Sequence, residues 1–378
     1  MIKKIYLWIP NIFQFKGGIQ VYSGFFLEAI QEVAHSAEIH VFLKHDTHCT
    51  DDFSFSPQIK FHFAGKYPSF FRTLFFSFQL LVNSLINKPN LIICTHINFT
   101  ILAYWLNKIS KIPYWGVAHG VDAWNIEKSM LIKALQNCDR ILPVSHYTRD
   151  RLIKEQNLNP DRITVLPNTF NHERFAIAPK PQYLLDKYKL KVNQPVIITI
   201  TRLSKTDGYK GYDQIIRALP NMIKTLPDVH YLICGKGDDK ARIEILIREL
   251  SLENYVTLAG FIPDEELCDY YNLCDVFAMP SKGEGFGIVY LEALACGKPT
   301  LGGNQDGAID ALCNGELGAL VNPDNIPEIA ETLIAILQGT YPNHLIYQPQ
   351  ALREKVIEKF GFEKFQQTLA NLLIEHFV

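Results

Sequence analysis

The chain predicts an α/β protein of two doubly wound domains, each with a parallel sheet. Three observations carry that expectation. Short β-branched apolar runs alternate with helical patterns along 378 residues. The runs are apolar without strict alternation, as strands covered by helices on both faces are. The series is interrupted once, by a polar, proline-bearing stretch at about 176–195, so two βαβ sets with a cleft between them are expected. The length also favours two domains.

Taken in order, the strands of the first set are KIYLWIP, EIHVFL, LIICTHI, YWGVAHG, RILPVS and ITVLP. Those of the second are VIITITRL, VHYLICG, YVTLAGF, VFAMP and PTLGG. The apolar stretch Phe70–Ile86 is interrupted by Arg72, Ser77, Gln79, Asn83 and Ser84, so it predicts a helix with a wide apolar face and not a membrane span. The tail from about 345 to Val378 is helical in pattern. Ligands of open parallel sheets bind beyond the carboxyl ends of the strands, which directs attention to residues at those ends.

Bulk properties narrow the function classes. Hydrophobic residues make up 48% and the net charge is −2, which describes a globular chain and implies no nucleic-acid partner. Residues 1–180 hold 19 Lys+Arg against 13 Asp+Glu, a net of +6, leaving −8 for the remainder. A basic N-terminal half favours anionic lipid or a phosphate-bearing acceptor. The eight cysteines are scattered, and Cys94, Cys234, Cys274 and Cys296 fall in apolar runs as buried thiols, which fits a reducing cytosol. MIKKIYLWIP is too short before Pro10 for a secretory signal and alternates like a first strand. His45, His48, Cys49, Asp51 and Asp52 cluster in sequence, but their spacing matches no zinc pattern, and no metal site is expected.

The most informative stretch is SKGEGFGIVYLEALACGKP at 281–299. Glu284 lies in a turn with Gly283, Gly285 and Gly287, and Glu292 falls in the apolar helical run that follows. Glycines let the backbone approach a ligand, and a helix starting near Gly287 directs its positive end at an anion. Two carboxylates beside such an end supply acceptors for hydroxyls. Diphosphate donors and hydroxyl acceptors together suit a sugar nucleotide.

This stretch resembles the signature of the retaining family 4 glycosyltransferases, and the likeness extends over nearly the whole chain, more fully in its C-terminal half. The resemblance implies the GT-B fold: Rossmann-like domains at 1–180, binding the acceptor and completed by a helix at about 362–378, and at 190–361, binding the nucleotide sugar. Glu284 would bind the transferred sugar and Glu292 the ribose. Arg202 and Lys210 would hold the diphosphate, with Lys205 a competitor for the second role. His119, at the end of YWGVA, would contact the donor sugar. Gly17, Gly18, Gly235, Phe261, Ile262, Gly285, Phe286, Gly287 and Ile288 would line the donor. Gly237 belongs with Gly235, Asp122 with the acceptor side, and Ser145 and Asn168 have structural parts as a helix cap and a turn. The chain departs from the pattern in GGNQDGAID, where Asp310 stands in place of the usual Glu.

The implied reaction moves a sugar, glucose from UDP-glucose being the default donor, to a hydroxyl of an oligosaccharide or lipid-linked acceptor in polysaccharide or glycolipid assembly. No metal or other cofactor is called for, since cations on Arg202 and Lys210 stabilise the leaving phosphate. The setting implied is cytoplasmic, with peripheral membrane contact suggested by the basic N-terminal half and the aromatic run Phe70–Phe78. A sugar-nucleotide epimerase or a non-catalytic binder of the same fold are the alternatives. An NAD-linked oxidoreductase is disfavoured because no G-x-G-x-x-G follows an early strand.

Overall fold

The computed structural model describes residues 4–14, 17–49 and 56–377. The chain divides into two units, one of residues 1–169 with 362–378 and one of residues 170–361. In the first unit the order is β1 (Lys4–Ile9), α1 (Gly18–Val33), β2 (Glu38–Leu43), β3 (Ile59–Phe63), α2 (Ser69–Ile86), β4 (Leu91–Cys94), α3 (Thr100–Ser110), β5 (Tyr114–Ala118), α4 (Ser129–Gln136), β6 (Arg140–Pro143) and α5 (His146–Gln156). The second unit begins with α6 (Gln182–Tyr188), β7 (Val196–Ile200), α7 (Tyr212–Met222), β8 (His230–Cys234), α8 (Lys240–Glu249), β9 (Val256–Gly260) and α9 (Leu267–Leu273). It continues with β10 (Val276–Met279), α10 (Ile288–Ala295), β11 (Thr300–Gly303), α11 (Ala308–Ala311), β12 (Ala319–Val321), α12 (Ile326–Leu337) and α13 (Pro349–Phe360). The last helix, α14 (Phe362–Phe377), returns to the first unit, where Phe362 meets Phe25 and Phe365 meets Tyr22 and Phe26 of α1.

Each unit has one six-stranded sheet, ordered β3-β2-β1-β4-β5-β6 and β9-β8-β7-β10-β11-β12. Every pairing is parallel. The strand order is therefore the same in both, and each sheet reverses its winding at one place, between β1 and β4 and between β7 and β10. These are Rossmann-like doubly wound units. Strands β4 and β8 are buried at every residue, which explains their unbroken apolar runs.

Three elements differ from the sequence expectation. ITVLP is not a strand; only Ile163 bridges to Ile141, because the run lies past the edge strand β6. The edge strand β3, IKFHF, carries Lys60 and His62 among its apolar residues and so lacks the continuous run of a central strand. The three-residue strand β12 is too short to stand out by pattern.

The second unit is closed at its ends. Phe170 and Gly361 form a parallel bridge. Arg353 of α13 donates to the carbonyls of His172 (3.0 Å), Phe175 and Ala295 (2.6 Å), tying the chain's entry to the end of α10.

Candidate active site

In the second sheet the winding reverses between β7 and β10, the place where open parallel sheets take their ligands in a crevice beyond the carboxyl ends of the strands. The loops that follow these two strands, 201–211 and 280–287, meet at that place. The Lys282 amide donates to the Tyr209 carbonyl at 2.9 Å. Gly211, at φ +84°, lies so close to the Pro280 carbonyl that a Cβ would stand 2.3 Å from its oxygen. The two loops are thus zipped by their backbones, and the result is an ion pair between Lys210 Nζ and Glu284 Oε1, with only 18% and 12% of the side chains exposed. Lys210 and not Lys205 reaches Glu284; the Lys205 amide is held instead by Asp238 at 3.0 Å. Arg202 follows β7 and its side chain is exposed.

A buried carboxylate holds the glycine loop in shape. Asp306 Oδ2 accepts from Ser281 Oγ (2.7 Å) and from the amides of Gly283 (2.8 Å) and Glu284 (2.7 Å), while Oδ1 accepts from the Ala308 amide (2.9 Å). The Gly307 amide in turn donates to the Glu284 carbonyl at 2.8 Å. Glu284 is therefore gripped on both sides of its peptide. Burial raises the Asp306 carboxyl to about 6, against the hydrogen bonds that favour its charge. Behind it, Tyr290 donates to the Met279 carbonyl at 2.6 Å and lies 3.0 Å from Ser281 Oγ.

Helix α10 starts at Ile288 with Gly287 as its N-cap at φ +92°, where a Cβ would press on the Tyr290 ring. No side chain caps it, and its first turn carries no acid. Its leading amides and positive end are left for an anion. Glu292 lies just beyond the first turn, and its Oε2 accepts from Tyr271 at 2.7 Å. Burial pushes the Glu292 carboxyl up, against the hydrogen bond from Tyr271 and then the charge of Arg174, which pull it down.

The other donor-side positions separate into backbone and side-chain roles. A Cβ on Gly235 would stand 1.7 Å from the Thr201 carbonyl oxygen, and one on Gly237 1.8 Å from that of Leu203. The loop after β8 needs these glycines because it runs against the loop carrying Arg202, a reason the sequence does not show. The side chain of Phe286 is buried against Phe360 at 5.4 Å, so only its backbone, like that of Gly285, is offered to the crevice. Ile262 is also buried, whereas Phe261 is 61% exposed with Lys236 Nζ 4.6 Å from its ring centre.

In the first unit, Gly17 caps α1 in an extended conformation, and a side chain at Gly18 would enter open space. Asp46 accepts the amides of Ile12, Phe13 and Gln14, which fixes the start of the glycine loop. His119 ends β5. Its Nε2 donates to the Thr95 carbonyl at 2.7 Å, its ring meets Tyr22 edge-on at 5.0 Å, and burial lowers it to about 4, so the imidazole is neutral. Asp122 Oδ1 accepts from the His119 amide at 2.9 Å, while Oδ2 is buried without a hydrogen-bond partner, and burial raises the carboxyl to about 7. Ser145 caps α5, accepting from the Thr148 amide at 3.1 Å. Asp51 and Asp52 lie outside the described residues, and among the described residues no group of three or more His, Cys, Asp and Glu is placed to hold a metal ion.

Sequence reasoning missed Asp306 and Tyr271. The loop GGNQDGAID drew attention to Asp310 in the place of a Glu, and an Asp between polar and glycine residues has no mark of burial. Tyr271 sits in an ordinary amphipathic helix pattern.

Comparison with known proteins identifies the family and the fold. Residues 184–356 match the family described as glycosyl transferases group 1, and residues 16–174 match glycosyltransferase family 4. The chain belongs to the group 1, family 4 glycosyltransferases. A GDP-mannose-dependent alpha-(1-6)-phosphatidylinositol monomannoside mannosyltransferase of Mycolicibacterium smegmatis is 32% identical over 257 residues, 66% of this chain. Mannosylfructose-phosphate synthase of Agrobacterium fabrum is 25% identical over 61% of it. The match spans 65% and 56% of the lengths of these relatives. Among solved structures, Anabaena HepE in complex with UDP superposes with a TM-score of 0.77 at 19% identity over 99% of this chain and 100% of that one. Sucrose-phosphate synthase of Thermosynechococcus elongatus gives 0.78 at 21% over 99% of each. The fold is GT-B.

Proposed function

We propose that this protein transfers a hexose from a nucleoside diphosphate sugar to an acceptor hydroxyl with retention of anomeric configuration. The observation that carries the reading is the Lys210–Glu284 pair, set beside the uncapped start of α10 at the winding reversal of the second sheet. In the donor complex Lys210 turns to the diphosphate and Glu284 to hydroxyls of the sugar, each exchanging the other for a substrate group. Arg202, Lys210 and the amides of α10 stabilise charge building on the leaving β-phosphate. In this reading Glu284, held by Asp306 and Gly307 and salt-bridged to a cation, acts as a hydroxyl acceptor and not as a nucleophile. The leaving phosphate then takes the acceptor's proton on the same face as bond formation. Glu292, oriented by Tyr271, accepts from the ribose.

UDP-glucose is the donor that the sequence resemblance suggests. GDP-mannose is the second reading, favoured because the more similar named relatives are GDP-mannose-dependent. The acceptor is an oligosaccharide or lipid-linked hydroxyl. The test is nucleotide release from UDP-glucose and GDP-mannose, with and without EDTA, by the wild type and Glu284→Ala. Release from one donor, unaffected by EDTA and lost in the variant, is expected. Undiminished release by Glu284→Ala overturns the assignment.

A further inference from the structure

Helices α9 and α10 face each other across two side-chain contacts. Cys268 and Tyr271 share one face of α9, at i and i+3, and Glu292 and Cys296 share one face at the end of α10, at i and i+4. Tyr271 donates to Glu292 Oε2 at 2.7 Å, and Cys268 Sγ stands 3.9 Å from Cys296 Sγ. The Cys296 amide is bound to the Glu292 carbonyl at 3.1 Å. The sulfur pair and the tyrosine–carboxylate bond are thus neighbouring rungs between the same two helices.

The two sulfurs differ in their surroundings. Cys296 is fully buried, whereas Cys268 is half-buried. Cys268 Sγ accepts from the Ala176 amide at 3.4 Å and from Asn272 Nδ2 at 3.5 Å. Asn272 is buried, and the carbonyls of Ala176 (2.8 Å) and Cys268 (3.0 Å) fix its amide group. When protonated, the Cys268 thiol has the Ala176 carbonyl as its acceptor at 3.6 Å. Donors gathered on one sulfur favour its thiolate. The hydrogen bond from the Cys296 thiol outweighs burial and brings the Cys268 thiol down to about 6, while the same bond and burial push Cys296 up. The other half-buried thiols lie on the opposite side: burial raises Cys49, and it raises Cys313 to about 11. A part-exposed thiolate beside a protonated thiol is the arrangement of an oxidisable cysteine with its resolving partner.

We propose that Cys268 and Cys296 form a peroxide-sensitive oxidation site whose disulfide loosens the hold of Tyr271 on Glu292. The Cys268 thiolate attacks one peroxide oxygen, the O–O bond breaks, and hydroxide leaves, giving a sulfenic acid. The Cys296 sulfur then attacks the Cys268 sulfur, the S–O bond breaks, and the departing hydroxide takes the Cys296 proton as water. The sulfur pair loses two electrons, and peroxide is reduced to water and hydroxide. Because a disulfide holds its sulfurs at about 2.05 Å, closure draws this pair about 2 Å nearer. The Tyr271–Glu292 bond already has the preferred O–H···O length, so a shift of either helix lengthens or bends it. The oxidation site stands without the transferase reading; its effect on nucleotide rests on Glu292 as the ribose acceptor.

The test is treatment of the full reduced protein with hydrogen peroxide, then alkylation of the remaining thiols and peptide mapping. A Cys268–Cys296 cross-linked peptide that dithiothreitol removes is expected, formed at least about tenfold faster than oxidation of Cys313. In Cys296→Ser the sulfenic acid should persist on Cys268 and be trapped by dimedone. Oxidation of Cys49 or Cys313 while Cys268 and Cys296 are both still alkylated overturns the proposal, and so does a sulfenic acid that persists on Cys268 of the wild type. Calorimetric titration with UDP and GDP then reads the coupling. Peroxide should weaken nucleotide binding by the wild type about fivefold, the worth of one hydrogen bond, and leave Cys268→Ser unmoved. Unchanged affinity in the cross-linked protein overturns the link to Glu292. If the reduced protein binds neither nucleotide, the donor reading fails, and the peptide map still decides the oxidation site.

Discussion

Replacing Asp306 by Asn tests whether the glycine loop is held by that carboxylate. Oδ2 takes three donors and Oδ1 one. With its oxygen at the Oδ2 position, the amide keeps the bonds from Ser281, Gly283 and Glu284. Its NH2 then faces the Ala308 amide, donor against donor, inside a fully buried site. One bond is lost and a buried N–H is left unmade, at a cost of about 1–3 kcal/mol. For a unit of this size that lowers the thermal midpoint by about 2–4 °C per kcal/mol. Asp306→Ala strands all four donors and should lower it further, by several kcal/mol. Because the Glu284 amide hangs on the same oxygen, donor affinity should fall more in the Ala variant than in the Asn variant. Differential scanning fluorimetry and calorimetric titration with UDP and GDP measure both. If Asp306→Ala binds nucleotide sugar and melts like the wild type, the carboxylate does not organise the loop and the argument is wrong.

Four other outcomes are expected. Lys210→Met should leave Glu284 without its cation and lower turnover by 10²-fold or more with a smaller effect on nucleotide affinity, read by single-turnover kinetics. Glu292→Gln should weaken nucleotide binding more than it slows chemistry if Glu292 accepts from the ribose as proposed; equal loss in both would count against that role. Gly235→Ala should yield little folded protein, since a Cβ would stand 1.7 Å from the Thr201 carbonyl oxygen, and a wild-type melting curve would refute this. Asp122 sits near 7 when folded against 3.8 ordinarily, so its contribution to stability is complete below pH 4 and is lost as pH rises through 7. Asp122→Asn should flatten that slope in melts across this range.

Much of the second unit's local structure was legible because it is written in short-range terms. A glycine turn, the helix Ile288–Ala295, and two carboxylates, Glu284 before the helix and Glu292 within it, occupy the thirteen consecutive residues from Gly283 to Ala295, and local backbone rules suffice to place them. The strand ends carrying Arg202 and Gly235 were legible for the same reason. What was not legible depends on contacts distant in sequence. The grip of Asp306 on Gly283 crosses 23 residues, and the bond from Tyr271 to Glu292 crosses 21. The need for glycine at 235 and 237 comes from the backbone of the loop after β7, at Thr201 and Leu203. In α2, periodicity shows that a helix is apolar but not which apolar stripe faces inward, since Phe70, Leu74 and Phe78 repeat as regularly as Phe76 and Leu80.

The bridge between Phe170 and Gly361 has an engineering consequence. The chain enters and leaves the second unit at adjoining points, and Arg353 staples the entry to the body of the unit. The segment 170–361 is in effect a cassette inserted between α5 and α14, with ends that meet and a core of its own. Such a cassette can be excised without opening a sheet, or its termini rejoined elsewhere to permute the order of its strands. If the second unit binds the donor as proposed, exchange of this cassette among members of the family should transplant donor preference without altering any residue of the first unit.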